Sequence, residues 1–204
     1  MAGAVYGIYG NSRQEASRFF SSFEQQQAYG HDRLIACANM FDILPSSALP
    51  SDKPLDPELE NATTNCRTIL RQLPMGEERD SILGALGRIR HPSLKQKIRH
   101  RAKVIVERVE NHFTDLSLVI DEAVNCRNHY VHGSKPRFDY NRNFQIVVFL
   151  TDTLEFVFAA SDLLEAGWDI KTWTASGSTL SHPFASYLFD YKNRLKELVA
   201  LLAA

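Results

Sequence analysis

The residues best equipped for chemistry stand in one stretch, Asp121-Glu-Ala-Val-Asn-Cys-Arg-Asn-His-Tyr-Val-His132-Gly133. On a helical wheel at about 100° per residue, Asp121, Asn125, Asn128 and His132 share one face. Leu116, Val119, Ile120, Ala123, Val124, Tyr130 and Val131 take the other, and Arg127 falls in its middle. A guanidinium cannot be deprotonated, and burying it without partners is strongly unfavourable. Two explanations stand for it. Arg127 reaches sideways to a carboxylate or to helix-end carbonyls, or it faces a pocket or subunit seam that binds an anion. His132 also has two readings. A histidine in the last turn before a C-capping glycine is favoured by the helix dipole alone. Asn128, four residues earlier on the same face, can also hydrogen-bond the imidazole and set its tautomer. Together Arg127, Asn128 and His132 make an anion clamp, an orienting amide and a titratable base. That is a minimum for phosphodiester chemistry without a metal.

A second feature points to a phosphate-bearing substrate. Between residues 88 and 103 lie Arg88, Arg90, Lys95, Lys97, Arg99, Arg101 and Lys103, with His91 and His100 and no acid. The chain as a whole has a formal net charge of −1, so this positive charge is local. Such a segment gives sequence-independent, salt-sensitive affinity for RNA. The plainer alternative is a solvated helix face balanced by acids such as Glu77, Glu107 or Glu110. The segment directly precedes the Arg127 helix, which would set it at the rim of a cleft.

These residues need a helical frame, and the rest of the chain reads as one. Its 204 residues, 44% hydrophobic and 23% charged, exclude a mainly disordered chain, a collagen-like repeat and a disulfide-dense mini-protein. Cys37, Cys66 and Cys126 are far apart and form no CxxC pair. They read as reduced, mostly buried thiols, with no metal site and no cofactor implied. No run reaches the ~20 apolar residues of a membrane span, and the chain reads as soluble and cytoplasmic. Residues 1–10 are expected to be an extended lead-in, and residues 11–204 a single all-α domain. Its helices are expected from Asn11 (with Phe19, Phe20 and Phe23), through Leu34–Phe41, over about Glu58–Leu73 and Asp80–Ile89, and from Pro92 toward His112. Others follow from Thr114 or Asp115 to Gly133, over Phe144–Glu165, and from Pro183 to the end. Pro45–Pro57 reads as a loop, and Ser134–Asn143 as a loop or a short hairpin. The class is an all-α bundle of roughly six to eight helices.

Arg127-Asn-His-Tyr-Val-His132 resembles the R-N-x-x-x-H signature of HEPN ribonucleases. The surroundings Leu34–Pro45, Ala123–Gly133 and Leu154–Trp168 resemble the Apea-like HEPN group. The resemblance implies a helical, HEPN-like fold. It also implies a homodimer in which the motifs of two chains meet in one cleft, and cleavage of RNA without metal. Attack of the ribose 2′-OH on the adjacent phosphorus would leave a cyclic phosphate. His132 would be the general acid/base, Arg127 would bind the scissile phosphate, and Asn128 would orient the phosphate or His132. Relatives of this kind often act in phage defence or as toxins and often follow another, regulatory domain. Others are non-catalytic dimerisation or interaction modules, which is the main alternative here. A helix-turn-helix DNA binder built on the basic segment is disfavoured by the apolar, β-branched residues around Val104–Val109. Phe138, Tyr140 and Phe144 could stack bases, though loop packing is the commoner role. The wheel adds its own argument for a dimer. Arg127 and His132 lie about 140° apart on it, so a straight helix would not aim both at one phosphate, whereas two chains or an unwound helix end would.

Overall fold

The computed structural model describes residues 29–51, 54–109, 111–175 and 184–204. The expected lead-in over 1–10, the helix from Asn11, Glu110 and Pro183 lie outside the described residues. The helices in chain order are α1 (His31–Met40), α2 (Pro57–Gln72), α3 (Glu77–Gly87), α4 (Leu94–Val106), α5 (Leu116–His132), α6 (Phe144–Glu165), α7 (Ile170–Ala175) and α8 (Ala185–Ala203). Short 3-10 turns cover Ser46–Ala48 and Arg88–Arg90. The described residues hold no strand, and the all-α expectation holds. The Ser134–Asn143 stretch is a loop with no hairpin.

The chain divides into two compact units, where the sequence offered one domain. One unit joins the described residues up to Leu49 to Leu94–Ala204, and Pro50–Ser93 is an insertion between them. In the larger unit α6 is the centre. Its sequence is apolar nearly all round, so it must be enclosed on every side, and α1, α4, α5 and α8 pack against it. Aromatic rings fill the space toward α8: Phe113, Phe156, Tyr187 and Tyr191 meet with centroids 4.7–5.8 Å apart.

Two arginines bind helices to α6 through this core. Arg33 of α1 donates from Nε and Nη2 to both Glu155 oxygens at 2.7 Å, and the Cys37 thiol donates to the same carboxylate. Arg101 of α4, only 2% exposed, donates to Ser161 at 3.0 Å and Asp162 at 2.6 Å and also pairs with Glu165. Beside the first pair, the Tyr29 hydroxyl donates to Asp152 at 2.7 Å. Burial pushes the Asp152 carboxyl up to about 6.

The helix ends follow the residues that stop and start them. Asp56 caps α2, accepting from Glu58 N, with Pro57 in the first turn. α3 begins at Glu77, three residues before the expected Asp80, because Glu77, Glu78 and Asp80 together suit a helix N-terminus. Gly133 takes φ 67°, and Gly133 N and Ser134 N donate to His129 O and Asn128 O. This closes α5 in a Schellman-type turn. Within the insertion, α2 and α3 pack on each other, Arg67 donates to Leu86 O at 2.8 Å, and Arg90 pairs with Glu60.

Three outcomes are expected. Gly133→Ala destabilises by about 1 kcal/mol, read from the urea midpoint, because a side chain strains the positive φ. Arg101→Ala destabilises by about 3 kcal/mol, since it strands the α6 carboxylates and hollows the core. The Asp152 carboxyl is raised in the fold from an ordinary value of 3.8. Its stabilising contribution is therefore complete below that value and lost as pH rises through about 6. Asp152→Asn should gain stability on wild type between pH 4 and pH 7, by up to about 3 kcal/mol; equal pH profiles would refute this.

Candidate phosphate-cleavage site at the end of α5

α5 runs as regular helix to His132, and its last turns carry the site. Arg127 Nη1 donates to Asn128 Oδ1 at 3.1 Å and lies 2.9 Å from His132 Nε2. Nη2 donates to Asn39 Oδ1 of α1 at 3.0 Å. Nε is buried and has no hydrogen-bond partner. Arg127 is half-buried and His132 exposed, so the group stands at the rim of the helix layer, open on the imidazole side.

This overturns the wheel argument for a two-chain site. The side chain of Arg127 is long enough to sweep back along the helix, so Arg127 and His132 meet within one straight, fully wound helix. Their separation around the axis applies at the Cα atoms and is lost five bonds out. The structure also bears on the carboxylate partner expected for Arg127. No carboxylate among the described residues touches it. Its partners are Asn39, Asn128 and His132.

A guanidinium only donates. In this contact His132 Nε2 is therefore the acceptor, which places the ring proton on Nδ1. Nε2 presents a lone pair beside a fixed cation. An anion oxygen arriving at the guanidinium takes over the Nη1 donor, and the lone pair is then free to receive a proton.

Several site residues carry no signal in the motif. Asn39 fixes one edge of the guanidinium from α1. Glu122, fully buried, accepts from Tyr140 at 2.7 Å and from Asn125 Nδ2 at 3.1 Å, with Arg137 at 3.6 Å. It ties the loop after α5 back onto the helix. Tyr140 is thus a buried anchor and no platform for a base. His129 Nδ1 donates to Ser134 O at 2.7 Å across the Schellman turn. Asn39 falls on the side of α1 turned away from Leu34 and Cys37, close to exposed Asp32, so the helix pattern does not mark it. Glu122 reads on the wheel as an ordinary surface acid.

The basic segment is dispersed. Arg88 and Arg90 belong to the insertion, with Arg90 paired to Glu60. On α4, Lys97 pairs with Asp42 at 3.0 Å, Arg99 with Asp121, and Lys103 with Glu107 at 3.6 Å. Arg101 is a buried structural cation and leaves the surface set. Lys95 donates to the neutral Asn125 Oδ1 at 2.7 Å. Asn125 is one turn before Asn128, so this ammonium lies along the polar face that ends at His132. Cys37 and Cys126 are buried and Cys66 is exposed, all as free thiols. No group of three or more His, Cys, Asp or Glu among the described residues is set to hold a metal ion. No described helix is long and apolar enough to cross a membrane.

A direct check of the site is the tautomer of His132. Two-bond ¹H–¹⁵N spectra should show Nδ1–H in the wild type and a shift toward Nε2–H in Arg127→Ala. An unchanged tautomer would mean that the guanidinium does not set it.

No curated protein and no solved structure matches the chain. The profile of Apea-like HEPN domains matches residues 35–172, a span that includes Asn39, all of α5 and the central α6. The chain belongs to the Apea-like HEPN family.

Proposed function

We propose that this protein is an endoribonuclease that cuts RNA without a metal, using Arg127, Asn128 and His132. The observation that supports this most is a guanidinium whose partners are neutral and which lies 2.9 Å from an imidazole lone pair at an open helix end. The two arginines buried in the core of the same unit look different: Arg33 and Arg101 are each matched by carboxylates, while Arg67 of the insertion donates to a neutral carbonyl. Arg127 keeps its charge for an incoming anion.

In this reading a phosphate oxygen of RNA displaces His132 from Arg127 Nη1, and Asn128 holds the guanidinium in place. His132 Nε2 takes the proton of the 2′-OH as O2′ bonds to phosphorus. The P–O5′ bond breaks, and the leaving O5′ must gain a proton. Attacking and leaving oxygens lie on opposite sides of phosphorus in an in-line displacement, so one imidazole does not reach both. The partner's His132, presented as an imidazolium in a homodimeric cleft, supplies that second proton. The products are a 2′,3′-cyclic phosphate and a 5′-hydroxyl. Lys95, Arg99, Lys97 and Lys103 would hold flanking phosphates, with Lys95 foremost because its present partner is uncharged. A role in phage defence or as a toxin, in the cytoplasm and under a regulatory domain, fits such an activity.

Purified protein is expected to cleave RNA in excess EDTA, leaving cyclic-phosphate ends. His132→Ala should lower the rate by about 10²–10⁴. Arg127→Lys should stay well below wild type, since an ammonium cannot hold the same three partners. Lys95→Ala should weaken RNA binding and reduce the salt slope by about one. Because the mechanism uses His132 of both chains, mixing His132→Ala chains with wild type should lower activity more steeply than the wild-type share falls; a strictly proportional fall would mean that each chain cuts alone. RNA left equally intact by wild type and His132→Ala would favour the non-catalytic interaction module.

A further inference from the structure

Glu122 of α5 is fully buried, and the cleavage step does not use it. Its carboxylate accepts from the Tyr140 hydroxyl at 2.7 Å and from Asn125 Nδ2 at 3.1 Å, with Arg137 Nη1 at 3.6 Å. The amide of Asn125 thus turns its nitrogen toward Glu122 and its oxygen outward. That oxygen accepts from Lys95 Nζ of α4 at 2.7 Å. A flipped amide would set N–H against the ammonium and C=O against the carboxylate, so both contacts enforce one orientation.

An ammonium has three donors. One goes to Asn125, which leaves two for an anion. Lys95 is half-buried, and this contact orders its long stem in advance. The other lysines and arginines of α4 face carboxylates: Lys97 faces Asp42, Arg99 Asp121, Arg101 Asp162 and Glu165, and Lys103 Glu107. Lys95 is built like Arg127, as a cation aimed by an amide oxygen that leaves its charge in place.

The two cations are also close along one helix face. Asn125, Asn128 and His132 follow one another on the polar side of α5. At 1.5 Å per residue, the Lys95 contact stands about 5–10 Å along the axis from the Asn128–His132 end. One strand of nucleic acid carries a phosphate about every 3.4 Å when stacked, and further apart when drawn out. The span therefore suits neighbouring phosphates of one strand.

We propose that Lys95 is the subsite for the RNA phosphate next to the one held at Arg127, with Asn125, oriented by Glu122, as its positioning residue. The subsite rests on Arg127 binding a phosphate, and its test reads binding apart from cleavage.

The probe is a single-stranded RNA of about ten nucleotides with every 2′-OH methylated, which supplies no nucleophile. Its binding to the full chain is titrated at several salt concentrations. Lys95→Ala should flatten the log–log salt slope by about one. Asn125→Ala leaves the ammonium charged, so the slope should stay. Binding should weaken about two- to ten-fold, the cost of ordering one long side chain on association. In a Lys95→Ala chain the same Asn125→Ala change should cost nothing more, because the amide acts through the ammonium. Lengthening a methylated dinucleotide to a trinucleotide adds one phosphate. It should tighten binding to wild type and leave Lys95→Ala nearly unchanged; this arm and the slope need no change at Asn125. An Asn125→Ala loss that persists without Lys95, a wild-type slope in Lys95→Ala, or an equal gain from the added phosphate in both chains overturns the proposal. A wild type that does not bind the probe overturns it together with the phosphate role of Arg127. A wild type that shows the expected binding pattern and leaves cleavable RNA intact supports the subsite and sinks cleavage alone.

Discussion

A positive charge held by neutral partners is the constraint around which the site is built. Arg127 cannot shed its proton, and its position on α5 denies it full hydration. Elsewhere in this fold the same problem is solved by carboxylates: Glu155 for Arg33, Asp162 and Glu165 for Arg101. At Arg127 the matching groups are two amides and an imidazole. They fix the direction of the guanidinium without cancelling its charge. The surrounding structure then has a plain task, which is to keep α1 and α5 in register so that Asn39 and Asn128 grip the same group from two sides.

That task explains features that look unrelated. α6 is buried almost throughout and acts as the mould against which α1, α4 and α5 set. Arg33 and Arg101 bolt α1 and α4 to it, with geometry that a purely apolar contact would not impose. Glu122 does the equivalent for the loop after α5. Through Tyr140 it draws the chain back along the helix, and Ser134 in turn steers His129. Buried ionic groups are weak grounds for stability in themselves, but here each one fixes the relative position of two elements that end at the site.

The fold was largely legible because helical periodicity and capping are local. Pro45, Pro57, Pro74 and Gly133 mark boundaries that the structure keeps within a few residues. α6 was legible as a helix over Phe144–Glu165, the bounds that the structure keeps. The motif residues were legible for the same reason, since they share one helix. What stayed hidden was non-local or depended on side-chain reach. Asn39 lies 88 positions from Arg127, and nothing in the spacing of either helix links them. The wheel separated Arg127 from His132 because it counts angles at the backbone, while a guanidinium acts at the end of a flexible stem. The basic segment, continuous in sequence, is dispersed in the fold: Arg90, Lys97 and Arg99 meet acids far away in sequence, and Arg101 ends up inside. The insertion was missed as a unit because its helices resemble those on either side of it.

The grip on Arg127 closes over 88 residues of chain, and this has a consequence for assembly. The motif helix α5 does not carry the arrangement by itself: Asn39 comes from α1, and α6, the mould for both, follows α5 in the chain. A peptide copy of α5 would keep the three motif residues and lose the clasp. The site belongs to the assembled helices and comes apart with them.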